Sequence, residues 1–376
     1  MAVLTPAAAS GAAAEFIYTE TPRYDARAAV QGGERFPNGA ALHLSARGKD
    51  RVLVNGFVAT ADACVSFDGR RVLFAGKQAP GQPWQIWETA IAGGAPRRIT
   101  NTNDDSIRPF YLPQDKIVYA RRVGGVFQLE VQTLDGKTAS QLTWGPGNHV
   151  TNDVLRDGRV LFEAPHPMSA GRDIWTVYTD GTGVETYRCD HRGDRSNAHE
   201  LPNGDIVFET ADGKLARFTS ARATEVPLES AAKNVKLQEA PMAPRPAPKW
   251  HPSAIGDRPG ANLLCLNVYT SKDQRIAAGA VTKVRVWSGD TKLGEAPVEK
   301  DGSFYVQVPG ETPLRFELLN SVGKVIAAEK GSWWARRGEQ RICVGCHAGP
   351  ERAPDNRKPQ TLVRSTEPAK LFGRTK

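Results

Sequence analysis

Between about residues 57 and 218 the chain repeats one pattern four times, a polar turn followed by an apolar strand. The copies read Phe67-Asp68-Gly69-Arg70-Arg71-Val72-Leu73-Phe74, Leu112-Pro113-Gln114-Asp115-Lys116-Ile117-Val118-Tyr119, Leu155-Arg156-Asp157-Gly158-Arg159-Val160-Leu161-Phe162 and Leu201-Pro202-Asn203-Gly204-Asp205-Ile206-Val207-Phe208. Their period is roughly 45 residues, the length of a propeller blade. The Asp-Gly and Asn-Gly pairs supply the positive φ that a tight hairpin needs. The second half recurs as well: Gln85-Ile86-Trp87-Glu88-Thr89 precedes Arg97-Arg98-Ile99-Thr100, and Gln128-Leu129-Glu130-Val131 precedes Gln141-Leu142-Thr143. Asp173-Ile174-Trp175-Thr176-Val177 precedes Asp180-Gly181-Thr182 in the third copy. A repeat of this kind cannot bury its own apolar face, so the copies must pack side by side.

This pattern resembles the blades of TolB-like propellers, and it predicts an all-β fold. The expected order is an N-terminal β-propeller over residues 15–230, a Pro-rich linker over 231–259 and a small antiparallel β-sandwich over 260–340. An irregular segment with a basic tail follows over 341–376, and it holds the motif taken up next. Four blades are legible, and residues 15–60 and 215–250 are left to supply one or two more. Glu239-Ala240-Pro241-Met242-Ala243-Pro244-Arg245-Pro246-Ala247-Pro248-Lys249-Trp250 alternates proline and reads as extended polyproline II. In the sandwich region, Thr282-Lys283-Val284-Arg285-Val286-Trp287 alternates with period two. The turn and strand Asp301-Gly302-Ser303-Phe304-Tyr305-Val306-Gln307-Val308-Pro309 follow. Gly 36 and Pro 26 suit a chain of short strands and turns.

One motif carries chemistry. Arg341-Ile342-Cys343-Val344-Gly345-Cys346-His347 contains C-x-x-C-H, the attachment signature of a c-type haem. The expected cofactor is one haem c, covalent through Cys343 and Cys346, with His347 as an axial iron ligand. A bare C-x-x-C also serves zinc and thiol redox sites. A zinc site would want a second ligand pair, and no Cys or His follows His347. A thioredoxin-like site would sit in a βαβ setting, which the strand-rich pattern lacks. Trp333 and Trp334 are candidates for an apolar wall beside the porphyrin. Arg341, with Arg336 and Arg337, is a candidate partner for the propionates, because guanidinium pairs bidentately with carboxylate. Of the three other cysteines, Cys265 lies in a strand-like run and reads as a small core residue. Cys189, in a polar run, reads as the one most apt to have a partner, and Cys64 sets no framework with either.

With the motif placed, Asp301-Gly302-Ser303-Phe304, Val308-Pro309, Pro313-Leu314-Arg315-Phe316, Gly331-Ser332-Trp333, Gly338-Glu339 and Cys343-Val344-Gly345-Cys346-His347 together resemble the haem-bearing middle domain of the hydrazine synthase alpha-subunit family. That family also carries an N-terminal propeller. The resemblance implies a haem protein and an oxidoreductase acting on a small nitrogen or oxygen compound. Two departures bear on the chemistry. This chain has one C-x-x-C-H where the enzyme subunit looks like a two-haem protein. Where the enzyme has a Tyr shortly after the motif, Ala348-Gly349-Pro350-Glu351 stands here.

The ligand opposite His347 divides the functions. His251 and His199 are the first two loop candidates, with His191 third; Met168 and Met242 are poor ones. A ligated iron predicts an exported cytochrome-like electron-transfer protein with a propeller scaffold. An open iron predicts a haem enzyme, and a propeller binding module with structural haem is the third reading. Haem c implies export to the periplasm or beyond, and the Ala-rich residues 1–14 read as a signal-like remnant without the basic start of a signal peptide. The formal charge of +8 suits an acidic redox partner, such as an acidic cytochrome. It is not clustered as nucleic-acid binding would require. No run of eighteen apolar residues is present to span a bilayer. No nucleophile–base pair or phosphate loop supports a hydrolase.

Overall fold

The computed structural model describes residues 15–166, 169–188, 194–219, 222–228, 237–271, 276–346 and 353–372. Regular structure among them is almost wholly β, with one 3-10 turn at Ala28–Gln31 and one short helix at Gln360–Arg364. No helix among them is long and apolar enough to cross a membrane. The chain divides into two compact units. The first comprises residues 1–142, 147–164 and 194–251, and the second 143–146, 165–193 and 252–376. The division runs through the third sequence repeat, giving its first two strands to one unit and its last two to the other.

The first unit is built from the propeller repeats. Each polar turn enters a strand as the repeat predicts: Arg71–Lys77, Lys116–Val123, Val160–Pro165 and Ile206–Thr210. The first repeat forms a sheet of Ala59–Val65, Arg71–Lys77, Gln85–Ala90 and Arg97–Arg98. The second forms one of Ser106–Leu112, Lys116–Val123, Val126–Thr133 and Ala139–Gln141. The fourth orders Arg195–Glu200, Ile206–Thr210, Leu215–Thr219 and Arg222–Leu228. All are antiparallel, and their inward residues are buried aliphatics and aromatics such as Val72, Phe74, Ile117 and Phe208.

A further sheet corrects the expected linker. Leu237–Pro241 is not a spacer; it is a strand paired antiparallel with Phe16–Glu20, with Ile17 opposite Ala240. Ala41–Ala46 and Lys49–Val52 complete this sheet, so residues before and after the repeats share one blade. The physical reason is the position of the prolines. Residues 237–240 keep their N–H donors, and proline alternation begins only at Pro241. Beyond it the chain is an extended strap on the first unit. The Arg245 N–H donates to the Phe67 carbonyl at 2.9 Å, and the Lys249 N–H to the Arg156 carbonyl at 3.0 Å. The turn glycines serve here as well. Gly158 has φ +92°, and a β-carbon there would fall 2.2 Å from the Lys249 carbonyl oxygen.

A β-bulge at one position of the first strand in each repeat was not legible in the sequence. The register shifts between Ala61 and Cys64, Ile107 and Phe110, Thr151 and Asp153, and Ser196 and His199. Asp62, Arg108 and Asn197 take left-handed φ there. Their side chains meet in one buried polar network. Asp62 pairs with Arg35 and accepts the Arg108 N–H at 3.1 Å; Arg108 donates to Asn152 at 2.7 Å and to Asn197.

The second unit contains the sandwich. One sheet orders Gln340–Cys343, Gly260–Cys265, Phe304–Pro309 and Ala369–Lys370; the other orders Thr291–Pro297, Lys283–Ser288, Arg315–Leu319 and Val325–Ala328. Their facing sides bury Leu263, Val284, Val286, Val306, Val308 and Leu318. The expected boundary at residue 340 moves. The segment read as an irregular haem-binding tail adds two strands to the first sheet, both parallel to their neighbours.

Candidate functional site

The thiols are placed by a strand rather than by a loop. Gln340–Cys343 runs parallel to Gly260–Cys265, with Asn262 opposite Gln340 and Cys265 opposite Cys343. The chain leaves the sheet at Cys343, and Val344 and Gly345 turn it so that Cys346 also faces inward. The turn is tight. A β-carbon on Gly345 would lie 2.2 Å from the Thr270 carbonyl oxygen and 2.8 Å from that of Asn267. Both are backbone atoms, so no side chain can swing away to make room. Gly345→Ala is therefore expected to cost ~1–3 kcal/mol of stability and to lower covalent cofactor loading. Denaturant unfolding and the visible absorbance per polypeptide check the two effects.

Cys343 and Cys346 line one cavity of about 250 Å³. All its lining residues belong to the second unit. Leu263, Phe304, Phe316, Trp175 and Trp333 give it an apolar, largely aromatic surface. Phe316 and Trp333 sit 5.3 Å apart by ring centroid. Arg341, Arg188 and Lys330 bring positive charge to it. The Arg341 guanidinium stacks 5.1 Å from the Trp333 ring centre, donates to the Val184 carbonyl, and lies 3.7 Å from Glu339.

Adjacent tryptophans in extended chain point to opposite sides. Trp333 lines the cavity, as expected of a wall. Trp334 turns into the core, 1% exposed, and lies nearly parallel to Trp175 at 6.5 Å between ring centres. It supports the wall from behind through Trp175. The three arginines divide too. Arg341 lines the cavity, whereas Arg336 pairs with Glu311 and donates to the Asp180 carbonyl at 3.1 Å, and Arg337 lies 3.3 Å from Glu311.

His347, the expected axial ligand, lies outside the described residues, as do Cys189, His191, Met168 and Ala348-Gly349-Pro350-Glu351. His251 and His199 are not among the residues lining the cavity. His251 bonds the Asp157 carbonyl through Nε2, and His199 Nδ1 sits 3.7 Å from Asp153. Both belong to the first unit.

Three lining groups lay beyond sequence reasoning. His166 is buried in the cavity wall, on a segment that reads in sequence as an ordinary blade loop. Cys265, 3% exposed, is a core residue as its strand pattern suggested, but its thiol also reaches the Cys346 sulfur within hydrogen-bond distance. Contact with Cys346 and burial together push the Cys265 thiol well above the ordinary range. Burial raises the Cys343 thiol, opposed by the Arg341 charge. The third group is Glu329. Its carboxyl is covered, and burial lifts it to about 7 against two hydrogen bonds and the charges of Arg341 and Arg315. A polar residue just past an exposed edge strand gives no sign of this in sequence.

Residues 265–348 match the family described as hydrazine synthase alpha subunit middle domain. Hydrazine synthase subunit alpha of Kuenenia stuttgartiensis is 30% identical over 110 residues, which are 28% of this chain and 14% of that protein. The solved Kuenenia stuttgartiensis hydrazine synthase superposes with a TM-score of 0.81 at 16% identity, over 94% of this chain and 72% of that chain. A putative TolB from Agrobacterium tumefaciens aligns with a TM-score of 0.42 at 19% identity, over 58% of this chain and 89% of that chain. The likeness to the hydrazine synthase alpha family thus holds in sequence over the sandwich and motif, and in fold over nearly the whole chain.

Proposed function

We propose that this hydrazine synthase alpha-like chain is an exported c-type haem protein whose cavity admits a small nitrogen or oxygen compound beside the haem. The observation that carries the reading is that Cys343 and Cys346 share one cavity with two titratable side chains, buried His166 and half-buried Glu329. A centre that only passes electrons has no need of such groups.

The residues present fit a covalently bonded porphyrin. Two thiols stand on one wall, Phe316 and Trp333 offer aromatic surface, and Arg341, Arg188 and Lys330 can neutralise two propionates. Cys343 and Cys346 would hold the group and His347 would ligate its iron. When bound, it would supply one-electron chemistry and a metal site for a small ligand. The chain's own part is to bind, dry and orient. The apolar wall excludes water, which strengthens every charge interaction inside. Arg341 is held by Val184 and Glu339 and so keeps its position. Hydrazine formation does not follow from the likeness, because no Tyr stands in the four residues after the motif.

Electron transfer to an acidic redox partner is the second reading, favoured by the +8 formal charge. The two separate by spectrum. After a pyridine haemochrome assay, the reduced protein is expected to bind CO and NO with a shift of its main absorption band. A six-coordinate, low-spin spectrum unchanged by either gas would decide for electron transfer alone.

A further inference from the structure

We propose that Glu329 is the proton-exchanging group of this cavity, passing a proton to and from the small nitrogen or oxygen compound held there. The assignment rests on the functional reading above and gives one residue its role. Glu329 follows the edge strand Val325–Ala328 and precedes the bridge between Leu314 and Trp333. The Phe316 N–H donates to Glu329 Oε2 at 2.9 Å, and the Trp333 indole N–H donates to the same oxygen at 3.1 Å. Both donors fall on Oε2, so Oε1 is the oxygen that carries the proton. Trp333 is itself part of the wall, so the carboxyl is fixed to the surface against which a ligand would lie.

The surroundings allow the group to change charge. Arg341 and Arg315 lie close enough to stabilise the carboxylate, and the neighbouring Cys343 sulfur, a thioether in the haem-loaded protein, would not titrate. From the segment 165–193, His166, Asp173, Glu185 and Arg188 face the same cavity, and Lys330 is adjacent in sequence. Burial outweighs the two arginines and holds the carboxyl neutral to about 7. The step is a proton transfer only. The O–H bond at Oε1 breaks, a basic nitrogen or oxygen of the ligand gains the proton, and the carboxylate left behind faces Arg341. Solvent returns the proton, and no electrons pass through Glu329.

The test uses the full-length, haem-loaded protein. In the wild type, the infrared carbonyl band of a buried carboxylic acid should fade as pH rises through about 7, and Glu329→Gln should lack it. Azide affinity, read from the visible spectrum, should weaken about tenfold per pH unit above that point, as one linked proton requires. Glu329→Gln keeps the acceptor for both N–H donors but cannot ionise, and its profile should be flat within about twofold over the same range. An unchanged profile in a haem-loaded Glu329→Gln protein overturns this assignment alone. A protein without haem overturns the functional reading and the assignment with it. Should Glu329→Gln fail to fold, the wild-type infrared titration decides, and a band titrating in the ordinary glutamate range near ~4.3 overturns the proposal.

Discussion

Replacing Cys343 and Cys346 together with alanine is expected to abolish covalent haem. The variant's intact mass should equal that of the polypeptide, and its pyridine haemochrome signal should vanish. Either single replacement should leave one thioether and shift the haemochrome band, because one vinyl group stays unreacted. The reason lies in the sheet. Cys343 is fixed opposite Cys265 by parallel pairing, and Cys346 is brought round by the Gly345 turn to line the same cavity. A double variant that still carries covalent haem would end the functional reading. Loss of haem with an unchanged unfolding curve would show that the thiols serve the cofactor and not the fold.

The largest expected effect on stability falls at Trp334. Its side chain is among the largest fully buried in the chain, and it lies nearly parallel to Trp175 in the same unit. Trp334→Ala removes that packing and leaves a void, at an expected cost of ~3–5 kcal/mol. About 0.5–1.5 kcal/mol of this belongs to the aromatic pair itself. Trp334→Phe should recover most of the loss. Urea unfolding followed by far-ultraviolet circular dichroism measures both. A cost below about 1 kcal/mol for the alanine variant would mean that the site collapses onto Trp175. Because Trp175 lines the cavity, the alanine variant should also lower haem retention, whereas Trp333→Ala should affect retention more than stability.

Much of this architecture could be read from local pattern. Polar turns, three of them Asp-Gly or Asn-Gly, before apolar triplets such as Val72-Leu73-Phe74 and Ile206-Val207-Phe208 announced the blades, and the turns form where they stand. Period-two alternation announced the sandwich at Lys283–Ser288 and Phe304–Pro309. The strand Leu237–Pro241 falls in the stretch left for a further blade, but its partner, Phe16–Glu20, is more than two hundred residues away, and proline alternation just beyond it suggested a spacer. The parallel strand Gln340–Cys343 was missed for the same reason. A four-residue pairing with Gly260–Cys265 leaves no local signature. Glu329 shows the limit most plainly. Its sequence neighbours Lys330 and Gly331 mark an exposed turn, while its carboxyl is covered by the indole it accepts from.

By itself the sequence determined the repeating blades, the sandwich strands and the pair of thiols at Cys343 and Cys346, because turn chemistry, side-chain alternation and cysteine spacing are all written over a few adjacent residues. Only the tertiary structure decided that Trp333 and Arg341 face those thiols while Trp334, Arg336 and Arg337 do not. It alone brought His166, Cys265 and Glu329 to the same cavity. Burial and proton affinity depend on what surrounds a group in space, and those neighbours come from strands far apart along the chain.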